Sequence, residues 1–453
     1  MKIITAENDS VSRDFISVDQ VIDARWIVPV EPAGLVLENY SLVVDGNRII
    51  DLLPTKEAAK RYSARRYFRL SQHVLIPGLI NLHTHAAMSL LRGLADDLPL
   101  MRWLNERIWP AERRLMSPEF VRDGTELACW EMLRGGITCF NDMYFYPEAA
   151  AEAVLASGIR SALGITVFEF PSAYGRDATD YLEKGLRTRE HYNHSPLLSF
   201  CLAPHAPYTV ADQTFERVRE LADEFDLPIH VHLHETLDEI EGSLKEHGQR
   251  PLLRLHRLGL LGPRLIAVHA VHLAPDEIDM LAASGSHVAH CPTSNMKLAS
   301  GIAPIGSMQA KKIGIGLGTD GAASNNRLDM FQEMRHAALL AKVAEQNPTV
   351  LPSFTTLSMA TINGAKALGL DGDIGSLQPG KMADITAVDL GEWPMQPCYD
   401  PVSHLVYVAG REQVSHVWVN GKLRIEDKTP CNIDIRVLLH KAEMWQNGAY
   451  LVG

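Results

Sequence analysis

The chain has 453 residues, 46% of them hydrophobic and 22% charged, and a formal net charge of −12. That length suits a large core plus a smaller domain, and the acidic balance excludes a nucleic-acid partner in favour of a small, weakly charged substrate. No apolar run reaches the roughly 20 residues that cross a bilayer.

The opening, MKIITAENDS, has no basic segment leading into an apolar one, so no signal peptide is expected. Residues 14 to 76 then read as short strands, VIDARWIVPV, YSLVVDGNRIIDLL and YFRLSQHVLI, with Asp-Gly-Asn as a hairpin turn. From residue 77 the pattern changes. Eight apolar runs follow: HVLIPGLINLHTH, GITCFNDM, IRSALGITVF, LLSFCLAPHAPYT, LPIHVHLHE, RLIAVHAVHL, SHVAHCPTSN and IGIGLGTDG. Most lead into amphipathic helical stretches. One starts at Ser117-Pro118, an N-cap followed by a first-turn proline, and ends on glycine. Eight strands alternating with helices is the count of a (β/α)8 TIM-like barrel, and no G-x-G-x-x-G supports a doubly wound sheet. The C-terminal runs ADITAVDL, HLVYVAG and VSHVWVNGKLRIED read as strands again. An α/β chain is therefore expected, with 77–374 forming the barrel and 1–76 with 375–453 forming one small β-sandwich from both chain ends.

Barrel chemistry sits at the carboxyl ends of the strands, and polar residues cluster there. His83 and His85 end the first strand, Asn141 and Asp142 the second, and His205 the fourth. His232 with Glu235 ends the fifth, His269 with His272 the sixth, His290 the seventh and Asp320 the eighth. His83 and His85 stand at i and i+2, on one side of a strand. An isolated H-x-H is usually a pair of satisfied histidines. Here it follows the buried run Pro77-Gly78-Leu79-Ile80, where unpartnered imidazoles are costly, and His232 and Asp320 complete a nitrogen–oxygen set. That set suits zinc, with iron or manganese as alternatives. His230, His232 and His234 alternate along one strand, so all three are expected on one face. Spacing does not choose among them; His232 is preferred because Glu235 follows three residues on. The six cysteines, at positions 129, 139, 201, 291, 398 and 431, are never three apart. That excludes a C-x-x-C metal site and suggests reduced thiols in the cytoplasm.

The segments PGLINLHTHAAMSLLRGLADDLPLMRWL, APHAPYT, HVHLHET, AHCPTSNMKLASG, GLGTDGAASNN and GKMADI closely resemble the amidohydrolase superfamily. Within it they look like the 5′-methylthioadenosine/S-adenosylhomocysteine deaminases, near the triazine-hydrolase branch, over about residues 20 to 425. The resemblance implies that His83, His85, His232 and Asp320 hold one divalent metal, zinc or iron. It implies hydrolytic deamination of an adenine nucleoside by a metal-activated hydroxide. Asp320 would accept the water's proton, Glu235 would protonate the ring N1, and His269 would hydrogen-bond the attacking oxygen. Glu112 would hold the ribose hydroxyls and His205 would contact ribose or base. Many superfamily members bridge two metals with a strand lysine. Here the only lysine between His85 and His232 is Lys184, in the helix-like stretch DYLEKGLRTRE, so a one-metal site follows.

Arg176, in SAYGRDATD, is a candidate for the polar tail of a longer substrate, with a solvated loop arginine as the blander alternative. Leu94, Leu98, Leu100, Met101, Trp103 and Trp109 form an apolar stretch over the barrel mouth, divided between pocket wall and core. His290, Ser294 and Asn295 are expected to order the metal-side loops. The rival substrates are guanine, cytosine or a triazine, and the rival class is a barrel that has lost catalysis. Relatives of this type suggest a homo-oligomer, dimer or tetramer.

Overall fold

Apolar and polar residues alternate at the two chain ends but run together through the middle, and the two patterns make two different sheets. A computed structural model describes residues 15–450. The segment read as lacking a signal peptide, and the outermost residues of the expected end domain, lie outside the described residues.

Strands β1 (Ile16–Ile27), β2 (Leu37–Asp45), β3 (Arg48–Pro54) and β4 (Tyr62–Pro77) open the chain. The β2–β3 hairpin turns at Gly46, whose φ of 59° favours a residue without Cβ. Eight strands follow: β5 (Leu79–Thr84), β6 (Ile137–Asp142), β7 (Arg160–Val167), β8 (Leu198–Pro204), β9 (Ile229–Leu233), β10 (Leu265–His269), β11 (His287–His290) and β12 (Gly314–Leu317). The chain closes with β13 (Ile385–Asp389), β14 (Val414–Val419), β15 (Lys422–Glu426) and β16 (Thr429–Pro430).

The ends share one mixed sheet in the order β16-β15-β14-β13-β4-β1-β2-β3. Its join is the antiparallel pair of β4 and β13, from Ile385 opposite Pro77 to Asp389 opposite His73. Ile22, Leu42, Phe68 and Trp418 pack on one another as part of its core. The middle strands are parallel neighbours in the order β12 to β5. Almost every residue in them is buried, as expected for a sheet covered on both faces. The ring is nearly closed: the Asp320 N–H donates to the His83 carbonyl at 2.9 Å, and Asn81 Nδ2 donates to Thr319 Oγ1 at 2.8 Å. This is the TIM-like barrel that the alternation predicts, with an added sheet built from both ends.

Helix starts follow their local signals. Ser117 Oγ accepts from the Phe120 N–H at 3.1 Å and caps the helix Pro118–Arg134. The run HLVYVAG, expected as a strand, is instead mostly in the helix Pro401–Tyr407. Asp400 accepts from the N–H groups of Val402 and Ser403, and Pro401 fills the first turn, so the preceding Asp-Pro decides the conformation. The helix Ile435–Tyr450 leaves the end sheet and lies on Pro118–Arg134. Trp445 meets Phe120 edge-on at 5.2 Å and donates to Asp123, while Lys441 Nζ pairs with Glu126 at 2.7 Å. Between β5 and β6 a long excursion crosses the carboxyl end of the barrel. It includes a helix, Leu100–Trp103, a π turn, Leu104–Ile108, and a helix, Trp109–Leu115.

Candidate active site

Four side chains from three strand ends, those of β5, β9 and β12, converge at the barrel mouth. His83 Nε2 lies 3.3 Å from His232 Nε2, and Asp320 Oδ1 lies 3.2 Å from His83 Nε2 and 3.3 Å from His85 Nε2. Ligands about 2.0–2.1 Å from a tetrahedral zinc are separated by about 3.3 Å. The spacing fits one divalent ion.

The outer nitrogens explain why these lone pairs face inward. His85 Nδ1 donates to the Met143 carbonyl at 2.6 Å, and His232 Nδ1 donates to the His205 carbonyl at 2.8 Å. His83 Nδ1 meets His230 Nε2 at 3.0 Å. A proton held at each Nδ1 leaves Nε2 as the ligand atom. Asp320 is fixed as firmly: Ser294 Oγ at 2.6 Å and Ser324 Oγ at 2.8 Å donate to Oδ2, and the Gly321 N–H donates to Oδ1 at 2.7 Å. Burial is the chief cause that lowers His83 to about 4 and His232 well below the usual imidazole range. Burial pulls His85 down too, but Asp320 overrides it and raises it to about 9. Burial by itself would raise Asp320; His83 and His85 instead hold it well below the carboxylate range.

His230 lies against His83. His234 does not share its face. It follows the last residue of β9, its φ is 56°, and its Nε2 accepts from the Leu252 N–H at 3.0 Å, away from the cluster. The left-handed residue breaks the strand period. Glu235 enters the cavity in its place, with Oε2 3.8 Å from His269 Nε2. Burial raises the Glu235 carboxyl above its ordinary value. His269 Nδ1 donates to Asn295 Oδ1 at 2.9 Å, which leaves Nε2 as an acceptor. Of the three residues expected to order the metal-side loops, Ser294 bonds Asp320 and Asn295 bonds His269. His290 is buried, with no partner for Nδ1 among the described residues.

His85, His232, Glu235, His269 and Asp320 floor a cavity of about 460 Å³ whose wall includes Leu100, Trp103, Trp109, Phe168 and Phe170. Met101 lines a neighbouring side pocket, and Leu94 and Leu98 line neither cavity. Glu112 lies in the wall, with Oε1 accepting from the Tyr144 hydroxyl at 2.7 Å. Burial raises Glu112 to about 7 against the pull of Tyr144 and His85. His205 faces the cavity, stacks on Phe168 at 4.6 Å and meets Thr209 Oγ1 at 3.0 Å; burial lowers it to about 3. Arg176 is outside the lining, 82% exposed and paired with Asp180 at 3.3 Å. Lys184 pairs with the same Asp180 from the helix Ala178–Tyr192, not from a strand. Sequence reasoning missed Tyr144, Phe168 and Phe170. Each follows the end of β6 or β7, the position that marked the polar residues.

The amidohydrolase family matches residues 74–424. The 5-methylthioadenosine/S-adenosylhomocysteine deaminase of Teredinibacter turnerae is 45% identical over 95% of this chain and 97% of its own. An adenosine deaminase from Xanthomonas campestris with bound zinc superposes with a TM-score of 0.95 at 45% identity, over 96% of this chain and all of that one. Atrazine chlorohydrolase TrzN from Arthrobacter aurescens, complexed with zinc, shares the fold at 24% identity, with a TM-score of 0.87 over 94% of this chain and 99% of its own. The chain belongs to the amidohydrolase family, and within it to the metal-dependent 5-methylthioadenosine/S-adenosylhomocysteine deaminases.

Proposed function

We propose that the protein hydrolytically replaces the 6-amino group of an adenine nucleoside with oxygen, releasing ammonia and the inosine-type product. The substrate is 5′-methylthioadenosine, S-adenosylhomocysteine or adenosine. One observation carries the reading: the buried Glu235 carboxyl opens into the same cavity as His85, His232 and Asp320, which cluster with His83 beneath it.

His83, His85, His232 and Asp320 would hold a zinc or iron ion, which would supply the Lewis acidity that lowers the pKa of water toward about 7. Glu235 donates its proton to ring N1, which removes negative charge from the purine as oxygen adds at C6. His269 accepts a hydrogen bond at Nε2 and directs the attacking oxygen, because Asn295 occupies its Nδ1. Asp320 takes one proton of the attacking water and returns it to the departing amine, and the second water proton passes to Glu235 as the C6 oxygen becomes a carbonyl. Glu112 keeps one oxygen for the ribose diol while Tyr144 holds the other. His205, steadied by Phe168 and Thr209, contacts ribose or base. Trp109 and Phe170, with ring centroids 6.2 Å apart, wall the apolar 5′ substituent.

No helix among the described residues is long and apolar enough to cross a membrane. Four buried, free cysteines suit a reducing cytoplasm. A homo-oligomer suits the exposed apolar surface, which includes Trp393 at 87% and Tyr399 at 92%. The presence of two separate sheets supports a division into a 77–374 barrel and a domain from 1–76 with 375–453. The test is ammonia release from the three nucleosides beside guanine, cytosine and a triazine, with and without a chelator. Turnover confined to the free bases or the triazine, or turnover that survives chelation, overturns the reading.

A further inference from the structure

The proton donor owes its place to a reversal of the chain just past β9. His234 is left-handed although it carries a side chain, and such a residue persists only where its surroundings hold it. Its ring is held on both nitrogens: Nε2 accepts from the Leu252 N–H at 3.0 Å, and Nδ1 faces the His272 carbonyl at 3.2 Å with the Arg250 guanidinium beside it at 3.3 Å. The backbone is held by Glu239, in the helix Leu237–His247. Glu239 Oε1 accepts from the His234 N–H at 3.1 Å, and Oε2 accepts from the Glu235 N–H at 2.9 Å.

This is more than a helix cap. In a capping box the third helical residue reaches back to the N–H of the cap residue. Here the cap is Thr236, which accepts from the Glu239 N–H at 3.4 Å. The Glu239 side chain passes over Thr236 and grips the two residues before it. Glu239 is 8% exposed and does not line the active-site cavity; it borders the neighbouring side pocket, which Glu235 also lines, so it acts on a substrate seated in the cavity through Glu235.

We propose that Glu239 is a positioning residue for the reaction, its carboxylate fixing the backbone of His234 and Glu235 so that the Glu235 carboxyl meets the ring nitrogen. The proposal rests on the reading of Glu235 as proton donor. A donor misplaced by about 1 Å costs about 100-fold in rate, while ground-state binding by Glu112 and the aromatic wall is untouched.

The test compares Glu239→Gln, Thr236→Ala and Glu235→Gln in the zinc-loaded protein, reading kcat, KM, Tm and zinc content. Glutamine matches glutamate in size but turns its amide N–H₂ toward one of the two N–H groups, so one hydrogen bond fails. For Glu239→Gln we expect kcat to fall about 100-fold, KM to stay within about twofold and zinc content to hold. Thr236→Ala is expected to lower Tm and leave kcat within about twofold. Should Glu239→Gln not fold, Glu239→Asp, one methylene shorter, is expected to show the same loss in kcat at constant KM. A kcat within about threefold of wild type, or an equal loss in Thr236→Ala, overturns the proposal. If Glu235→Gln collapses while Glu239→Gln stays active, only the positioning role fails; if Glu235→Gln keeps full kcat, the proton-donor reading falls and takes this one with it.

Discussion

Buried histidines occur in both sheets, and only one group of them makes a site. In the end sheet His416 stacks on Trp418 at 5.7 Å and 13°, meets Phe68 edge-on at 5.9 Å, and is bonded to Ser415 through Nδ1. In the barrel His83, His85 and His232 are buried as well or nearly so, but each has Nδ1 tied outward and Nε2 turned toward a common centre. Burial and residue type do not distinguish the two regions. What differs is whether lone pairs converge. Parallel strands bring several carboxyl ends to one rim, whereas a mixed sheet carries its chain ends to opposite edges.

The widest separation between the regions is expected from removing one imidazole in each. His232→Ala should lose its zinc and about 10⁴-fold or more in activity, because water is no longer acidified. His416→Ala should keep both and lose only about 1–3 kcal/mol of stability; metal analysis with kcat and a denaturant curve checks the pair. Equal metal loss in both would erase the contrast. Next, Glu235→Gln keeps shape and metal but has no proton to give, and kcat is expected to drop about 10³-fold.

Removing an outward tie tests convergence itself. Asn295→Ala frees His269 Nδ1 and should lower kcat by about 10- to 100-fold with zinc content unchanged. A rate equal to wild type would show that His269 needs no orientation. A smaller effect follows from Glu112, raised by burial to about 7. Its ionised form accepts the ribose diol, so binding is favoured above that pH and weakens below it. The KM for the nucleoside should rise about tenfold between pH 8 and pH 6, and Glu112→Gln should flatten the profile. Arg176→Ala is the smallest lever. An exposed arginine bonded to Asp180 should change KM by less than about twofold, even for a nucleoside with a charged 5′ tail.

Much of the barrel is legible because its eight apolar runs have strand length, lie between helical periods and end in polar residues. Asp320, after Gly318-Thr319, is found the same way. The errors have local causes. HLVYVAG has the composition of a strand, yet Asp400 and Pro401 start a helix just before it. His234 continues the alternation of His230 and His232 on paper, but β9 stops at Leu233 and the next residue is left-handed. Tyr144, Phe168 and Phe170 carry no motif, and only their position past a strand end could have marked them.

The order of residues determines the alternation of strand and helix, the candidate ligands at the strand ends, and the lack of a strand lysine for a second metal. All three depend on neighbours in the chain. Tertiary structure decides which nitrogen of each imidazole faces inward, which of three alternating histidines joins the cluster, and which carboxylates are stripped of water. Those properties depend on partners far along the chain, such as Met143 for His85 and Asn295 for His269, and no local period encodes a contact across the barrel.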